Sequence, residues 1–202
     1  MNMQGFRNLP PLARIGGTVG IVVAILAASV FVWHRLPYAT DVQAPFDVHG
    51  SAGSPVSGRL FSVTVIKAAV APVVKHTGAL PKNRNLAASG QWVVVTATVT
   101  SLLDAPSARV ALELDGNAYT PDDRLGLSTL GGAILNPLIP QTGVYVFEVP
   151  TELVNRVSVG RLYVSAGTNK WDTGLIIDVP LDPSHAPRSA VLALAKTKVG
   201  AS

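Results

Sequence analysis

Residues 92–103 read Trp92-Val93-Val94-Val95-Thr96-Ala97-Thr98-Val99-Thr100-Ser101-Leu102-Leu103, and this stretch decides the fold class. Val93, Val95, Ala97 and Val99 share one face of a period-two chain, while Thr96, Thr98 and Thr100 share the other. β-Branched residues dominate, so the segment predicts a long central β-strand. Upstream, 59–67 alternates Phe61, Val63 and Val65 with Ser62 and Thr64, the pattern of a half-buried strand. Downstream, 109–115 places Val110, Leu112 and Leu114 inward and Arg109, Glu113 and Asp115 outward. Asp115-Gly116-Asn117 is then a hairpin signal, because these residues tolerate positive φ, and 117–120 begins the return strand.

Three more strands are expected. Residues 143–149 put Tyr145, Phe147 and Val149 on one face and stop at Pro150, with Glu148 as an outward strand residue. Residues 151–154 predict one helical turn capped by Thr151; 160–166 and 175–179 complete the set. Short strands at regular spacing with almost no helical period predict an all-β antiparallel sandwich over 58–182.

The N-terminal part has another character. Residues 15–33 are uncharged and apolar, bounded by Arg14 and by His34-Arg35. Nineteen helical residues measure about 28 Å, close to a hydrocarbon core of ~30 Å, so 15–34 is expected to be a transmembrane helix. An uncleaved anchor is favoured over a signal peptide cut near Ala39 or Thr40, because Trp33-His34-Arg35-Leu36-Pro37 is bulky and basic. Arg7 and Arg14 before the span, against Arg35 after it, predict a cytoplasmic 1–14 and an extracytoplasmic domain in the cell envelope. Gly16, Gly20, Ala24 and Ala28 fall at four-residue spacing on one helical face. This is either a docking face for a membrane-protein partner or second copy, or chance in an Ala/Gly-rich helix. Pro, Gly and Ser through 35–57 predict a tether, and His49 belongs to it. The tail 183–202 carries Arg188, Lys196 and Lys198 around Val191, Leu192 and Leu194. It is expected to be a flexible basic tail, with an edge strand or a short basic helix as alternatives.

Composition excludes several functions. The net charge is +4, but three of the basic residues, Arg7, Arg14 and Arg35, flank the span and the rest is near neutral. The remaining cations are scattered among acids, so no nucleic-acid surface is expected. There is no cysteine, which removes disulfides and thiol chemistry. Of the four histidines only His76 lies where a site could form, and no nucleophile elbow or metal-ligand pair accompanies it. Asp122 and Asp123, with Asp115 and Asn117, offer oxygen ligands, but their spacing fits polar turns better than a calcium loop. No enzyme activity, cofactor or metal is expected.

Two long connections remain as candidates. Residues 68–90 contain Lys75, His76, Lys82 and Arg84 among Val73, Val74, Leu80 and Leu86. Residues 120–142 contain Leu125, Leu127, Leu130, Ile134, Leu135, Leu138 and Ile139. These apolar residues either cap the end of the sandwich or form an exposed patch for a partner or an acyl chain.

In order, Gln91-Trp92-Val93-Val94-Val95-Thr96-Ala97-Thr98-Val99-Thr100, Val110-Ala111-Leu112-Glu113-Leu114-Asp115-Gly116-Asn117-Ala118-Tyr119 and Val144-Tyr145-Val146-Phe147-Glu148-Val149-Pro150 form a recognisable series. It resembles the bacterial telokin-like, immunoglobulin-like domains of unknown function, which include anchored ectodomains and secreted immunoprotective antigens of mycobacteria. The resemblance covers roughly 60–179; Ser101-Leu102-Leu103-Asp104 departs from it where such domains often carry Asn. It implies an extracytoplasmic immunoglobulin-like β-sandwich used for interaction or ligand binding, and it carries over no catalytic residue. The expected function is therefore a single-pass envelope interaction or accessory protein, with a lipid- or glycan-binding envelope module as the alternative.

Overall fold

The computed structural model describes residues 11–35, 46–76, 84–104, 107–166 and 172–200; the side chains of 11–16, 18, 84 and 127 lie outside that description. The chain divides into two compact units, Met1–Val42 and Gln43–Ser202.

In the first unit, α1 (Pro11–Arg35) is one helix of 25 residues, about 37 Å long. Pro11 at its first position suits a helix start, where its missing N–H has no partner to lose. The expected helix is there, four residues longer at its N-terminal end. The expected span is not supported in the same way: among the described residues no helix is long and apolar enough to cross a membrane. The expected 1–14 terminus is described only from Pro11 onward, and 36–45 of the expected tether lie outside the described residues.

The second unit is a sandwich of two sheets. One has the order β1-β9-β8-β5-β6, from β1 (Phe46–Ser51), β5 (Arg109–Leu114), β6 (Asn117–Tyr119), β8 (Val159–Ser165) and β9 (Thr173–Pro180). The other has the order β10-β3-β4-β7-β11, with β2 also on β3. Its strands are β2 (Pro55–Ser57), β3 (Phe61–His76), β4 (Arg84–Ser101), β7 (Gln141–Val149), β10 (Val191–Ala193) and β11 (Lys198–Val199). One short helix, α2 (Thr151–Arg156), follows β7.

Alternation explains the layering. Val93, Val95, Ala97 and Val99 of β4 and Tyr145, Phe147 and Val149 of β7 meet Leu112, Leu162, Val164 and Ile177 from the facing sheet, all fully buried or nearly so. These side chains fill the space between the sheets. The Asp115-Gly116 turn closes the β5–β6 hairpin with φ of 51° and 76°, the two positive values that a tight primed turn requires.

The structure corrects five expectations. The tether reading of 35–57 fails over its second half, where β1 joins the β9 edge and β2 the β3 edge. The tail is not free over its described part: β10 pairs with β3 and β11 with β7. The sandwich is not wholly antiparallel, because β1 runs parallel to β9 and β10 parallel to β3. Both partners arrive from distant parts of the chain, so no hairpin dictates their direction. Residues 68–90 are not a long loop, since β3 and β4 extend toward each other as a hairpin up to His76 and Arg84. Period-two reading ended these strands early because register shifts occur between Val65 and Lys67 and between Ala71 and Val73. The second lies at Pro72, which has no N–H to give a ladder. Finally, Pro150, not Thr151, occupies the cap position of α2, and no side chain caps it.

Candidate functional site

The 120–142 connection is divided between buried and exposed apolar side chains. After β6 the chain forms a 3-10 segment at Asp123–Ser128 and a 3-10 turn at Leu130–Gly132. Leu130 and Leu135 enter the core between the sheets, and Leu125 packs with Trp92, Val94, Val144 and Val146 on the outer face of the β3-β4-β7 sheet. Ile134 and Leu138 are 71% and 70% exposed, and Ile139 39%. The side chain of Leu127 lies outside the described residues. Three leucines are therefore structural, while Ile134, Leu138 and Ile139 face solvent.

Leu138 has φ of 61°, in the left-handed region that side-chain-bearing residues avoid. Its N–H donates to the Ser101 carbonyl at 2.7 Å, and Pro137 bridges Ser101, which ties this turn to the end of β4. The Gln141 amide donates to the Ile134 carbonyl at 2.7 Å.

On the outer face of the same sheet lies a charged cluster. The Arg124 guanidinium sits 5.0 Å from the centre of the buried Trp92 ring and pairs with Asp122 at 2.7 Å and with Glu148. Asp122 Oδ1 also accepts from the Arg124 backbone N–H at 2.9 Å, capping the 3-10 segment. The hydrogen bond to Asp122 raises Arg124 above its ordinary value despite partial burial. Glu148 accepts from the Ser89 backbone N–H; that bond, with Arg124, holds it below the usual carboxylate value. Beside it an open cleft of about 320 Å³ is lined by Ser89, Gly90, Glu148, Val149, Pro150, Thr151 and Glu152. Sequence reading placed Glu148 outward but missed this cluster, because Glu148 lies 24 positions from Arg124 and 59 from Ser89 in the chain. Only the register pairing of Trp92 with Glu148 brings them together.

The other candidates have structural occupations. His76 is buried, and its Nε2 lies 2.5 Å from Ser128 Oγ. The Ser128 hydroxyl donates to the Leu125 carbonyl at 2.5 Å. Its single proton is thus committed, so Ser128 accepts from His76 and Nε2 carries the N–H. That is the wrong tautomer for a base acting on this serine. Asp115 pairs with Arg156, and Asn117 donates to the Asp115 carbonyl at 3.2 Å. Among the described residues no group of three or more His, Asp or Glu is placed to hold a metal ion. His49 stands in β1, not in a tether. On α1, Ala24 and Ala28 are exposed and nothing stands within 4 Å of a Cβ built on Gly20; the surroundings of Gly16 lie outside the described residues.

No family model and no curated protein matches the chain. Among solved structures it is similar to an uncharacterized β-sandwich protein from Clostridium difficile 630, at 12% identity and TM-score 0.41, over 70% of this chain and 99% of that one. It is also similar to the yjhA protein from Bacillus subtilis, at 13% identity and TM-score 0.40, over 64% of this chain and 99% of that one.

Proposed function

We propose that this chain is a single-pass, membrane-anchored interaction or accessory module of a bacterial envelope, whose β-sandwich lies outside the cytoplasm and performs no catalysis. The observation that carries this reading is the surface of α1. Val19, Ile21, Val22, Val23, Ile25, Leu26, Val30, Phe31, Val32 and Trp33 are all exposed. Successive positions of a helix are turned by about 100°, so these side chains surround the axis. A helix apolar on every side is stable in lipid or in a protein interior, not in water. Its length of 25 residues and the absence of charge over 15–33 support this reading, although no described helix is long and apolar enough to cross a membrane. The basic residues on the N-terminal side favour the stated orientation. The resemblance of 91–100, 110–119 and 144–150 to telokin-like ectodomains supports the same placement of the sandwich.

The interaction reading draws on the solvent-facing Ile134, Leu138 and Ile139 and on a filled interior. A glycan or lipid between the sheets would have to displace Phe61, Val95, Leu112, Phe147 and their neighbours. The committed proton of Ser128 supports a non-catalytic role for His76.

The test is membrane extraction with thiol labelling. The chain lacks cysteine, so Ala190→Cys creates a single reporter on the exposed surface of the sandwich. The full chain should stay in the membrane pellet after alkaline carbonate, and the new thiol should react with an impermeant maleimide on intact cells. Release by carbonate, or a thiol reached only after lysis, would sink this reading.

A further inference from the structure

The sandwich has two ends, and its exposed apolar side chains are not shared equally between them. Pairing defines the first end. Phe61 opposes Ser101, Gln141 opposes Val99, and Val199 opposes Gln141, so the starts of β3, β7 and the end of β4 lie together with β11. The Arg59 N–H donates to Thr173 Oγ1 at 3.1 Å, and Thr173 opposes Phe46. The first residue of β1, where the chain enters the sandwich, is therefore at this same end.

Phe46, Leu103, Ile134, Leu138, Ile139 and Val199 stand there with their side chains exposed. The other large apolar side chains exposed in the sandwich, among the described residues, are Ile66, Val159 and Val191. The concentration is a property of one end. It is also held in place: Leu138 keeps a left-handed backbone, fixed by its bond to Ser101, while its side chain stays in solvent. The bond that anchors the turn to β4 therefore also holds an apolar side chain out in solvent.

We propose that this end of the sandwich is a second membrane contact, resting on the lipid surface with Phe46, Leu138 and their neighbours entering the headgroup region. The inference rests on the anchor reading given above. Two observations select a bilayer as the occupant. Only ten residues, 36–45, join the end of α1 to Phe46, a span of at most about 40 Å when fully extended. A covalent link of that length raises the effective concentration of lipid around the sandwich once α1 is inserted. Charge agrees with a neutral surface. Arg59, Arg109 and Lys198 are offset at this end by Asp47, Asp104 and Asp172, so apolar insertion, not attraction to anionic lipid, would drive the contact.

The experiment places one thiol at a time in the full chain, at Val23→Cys in α1, Leu138→Cys in the patch and Glu152→Cys at the far end. Each is labelled with a polarity-sensitive fluorophore and reconstituted into phosphatidylcholine vesicles carrying a nitroxide near the top of the acyl chain. The label at 138 should shift to the blue and be quenched at least about twofold more than the label at 152, as a side chain at the interface would be. Quenching at 23 with an aqueous label at 138 would overturn the second contact and leave the anchor standing. An aqueous label at 23 would overturn the anchor and, with it, the second contact that depends on it. Equal quenching at 138 and 152 would mean adsorption without orientation and would overturn the proposal. Cross-linking of 138 to 138 without lipid quenching would assign the surface to a second copy, with the same consequence.

Discussion

The guanidinium of Arg124 lies 5.0 Å from the centre of the Trp92 ring, on the outer face of the β3-β4-β7 sheet, and the same group bridges Asp122 and Glu148. Trp92 is fully buried, and its indole N–H donates to the Leu86 carbonyl at 2.9 Å. Arg124 thus covers an aromatic face that would otherwise meet water, and it ties the 3-10 segment to β7. Its side chain is 45% exposed, so solvent screens part of the ion-pair gain. Arg124→Ala should lower stability by about 1 kcal/mol, the sum of a modest cation–π contact and a partly screened pair. Urea denaturation in detergent, followed by tryptophan fluorescence, checks this; an unchanged midpoint would mean that the cluster is ornamental.

Glu148 links the same cluster to pH. Its carboxyl is held below its ordinary value of 4.5, first by the Ser89 N–H and then by Arg124. The folded chain therefore binds fewer protons than the unfolded chain just below pH 4.5, and stability rises with pH through that window. The contribution is complete above the unfolded value and disappears as pH falls through the folded one. Glu148→Gln should flatten the acid limb of a stability-against-pH curve below about pH 5. Asp182 is lowered to about 2 by the Ser184 hydroxyl and then by His185, so its own share should persist to lower pH. Identical acid limbs for the wild type and Glu148→Gln would contradict the assignment.

Gly90 is needed for its lack of a side chain. A Cβ there would stand 2.3 Å from the Val149 carbonyl oxygen and 3.0 Å from Pro150 Cα. Both are backbone atoms of the junction between β7 and α2, so no rotamer change can relieve the clash. Gly90→Ala should destabilise by roughly 1–3 kcal/mol or more, with the register of β4 against β7 as the feature disturbed. Thermal unfolding monitored by far-UV circular dichroism measures it.

Ser165, at the end of β8, has a buried hydroxyl with no hydrogen-bond partner among the described residues. Burying an unpaired hydroxyl costs free energy, and alanine removes the cost while keeping the backbone. Ser165→Ala should leave stability unchanged or raise it by up to about 1 kcal/mol. A clear loss would reveal a partner for this oxygen.

Much of this architecture was legible from local pattern. Val93 to Val99 and the Asp115-Gly116 turn sit where alternation and positive φ required them. The 120–142 connection was legible as apolar but not as divided, because which of its leucines turn inward depends on sheets contributed by other parts of the chain. Leu130 meets the core while Leu138 does not, although both are leucines in irregular chain. Pro72 and the register shift after Val65 hid the true lengths of β3 and β4, since a bulge breaks the two-residue period on which strand reading relies.

By itself the sequence determined the local states: an apolar N-terminal helix, a Val- and Thr-rich set of strands, and a tight hairpin at Asp115-Gly116. Those follow from side-chain branching, period and φ preference, which act within a few residues. Only the tertiary structure decided that 46–57 and 191–199 complete the two sheets, that Arg124 reaches Trp92 and Glu148, and that Phe46 and Leu138 share one end of the sandwich. Each of these depends on which strands lie side by side, and that choice is made by burying the whole core at once.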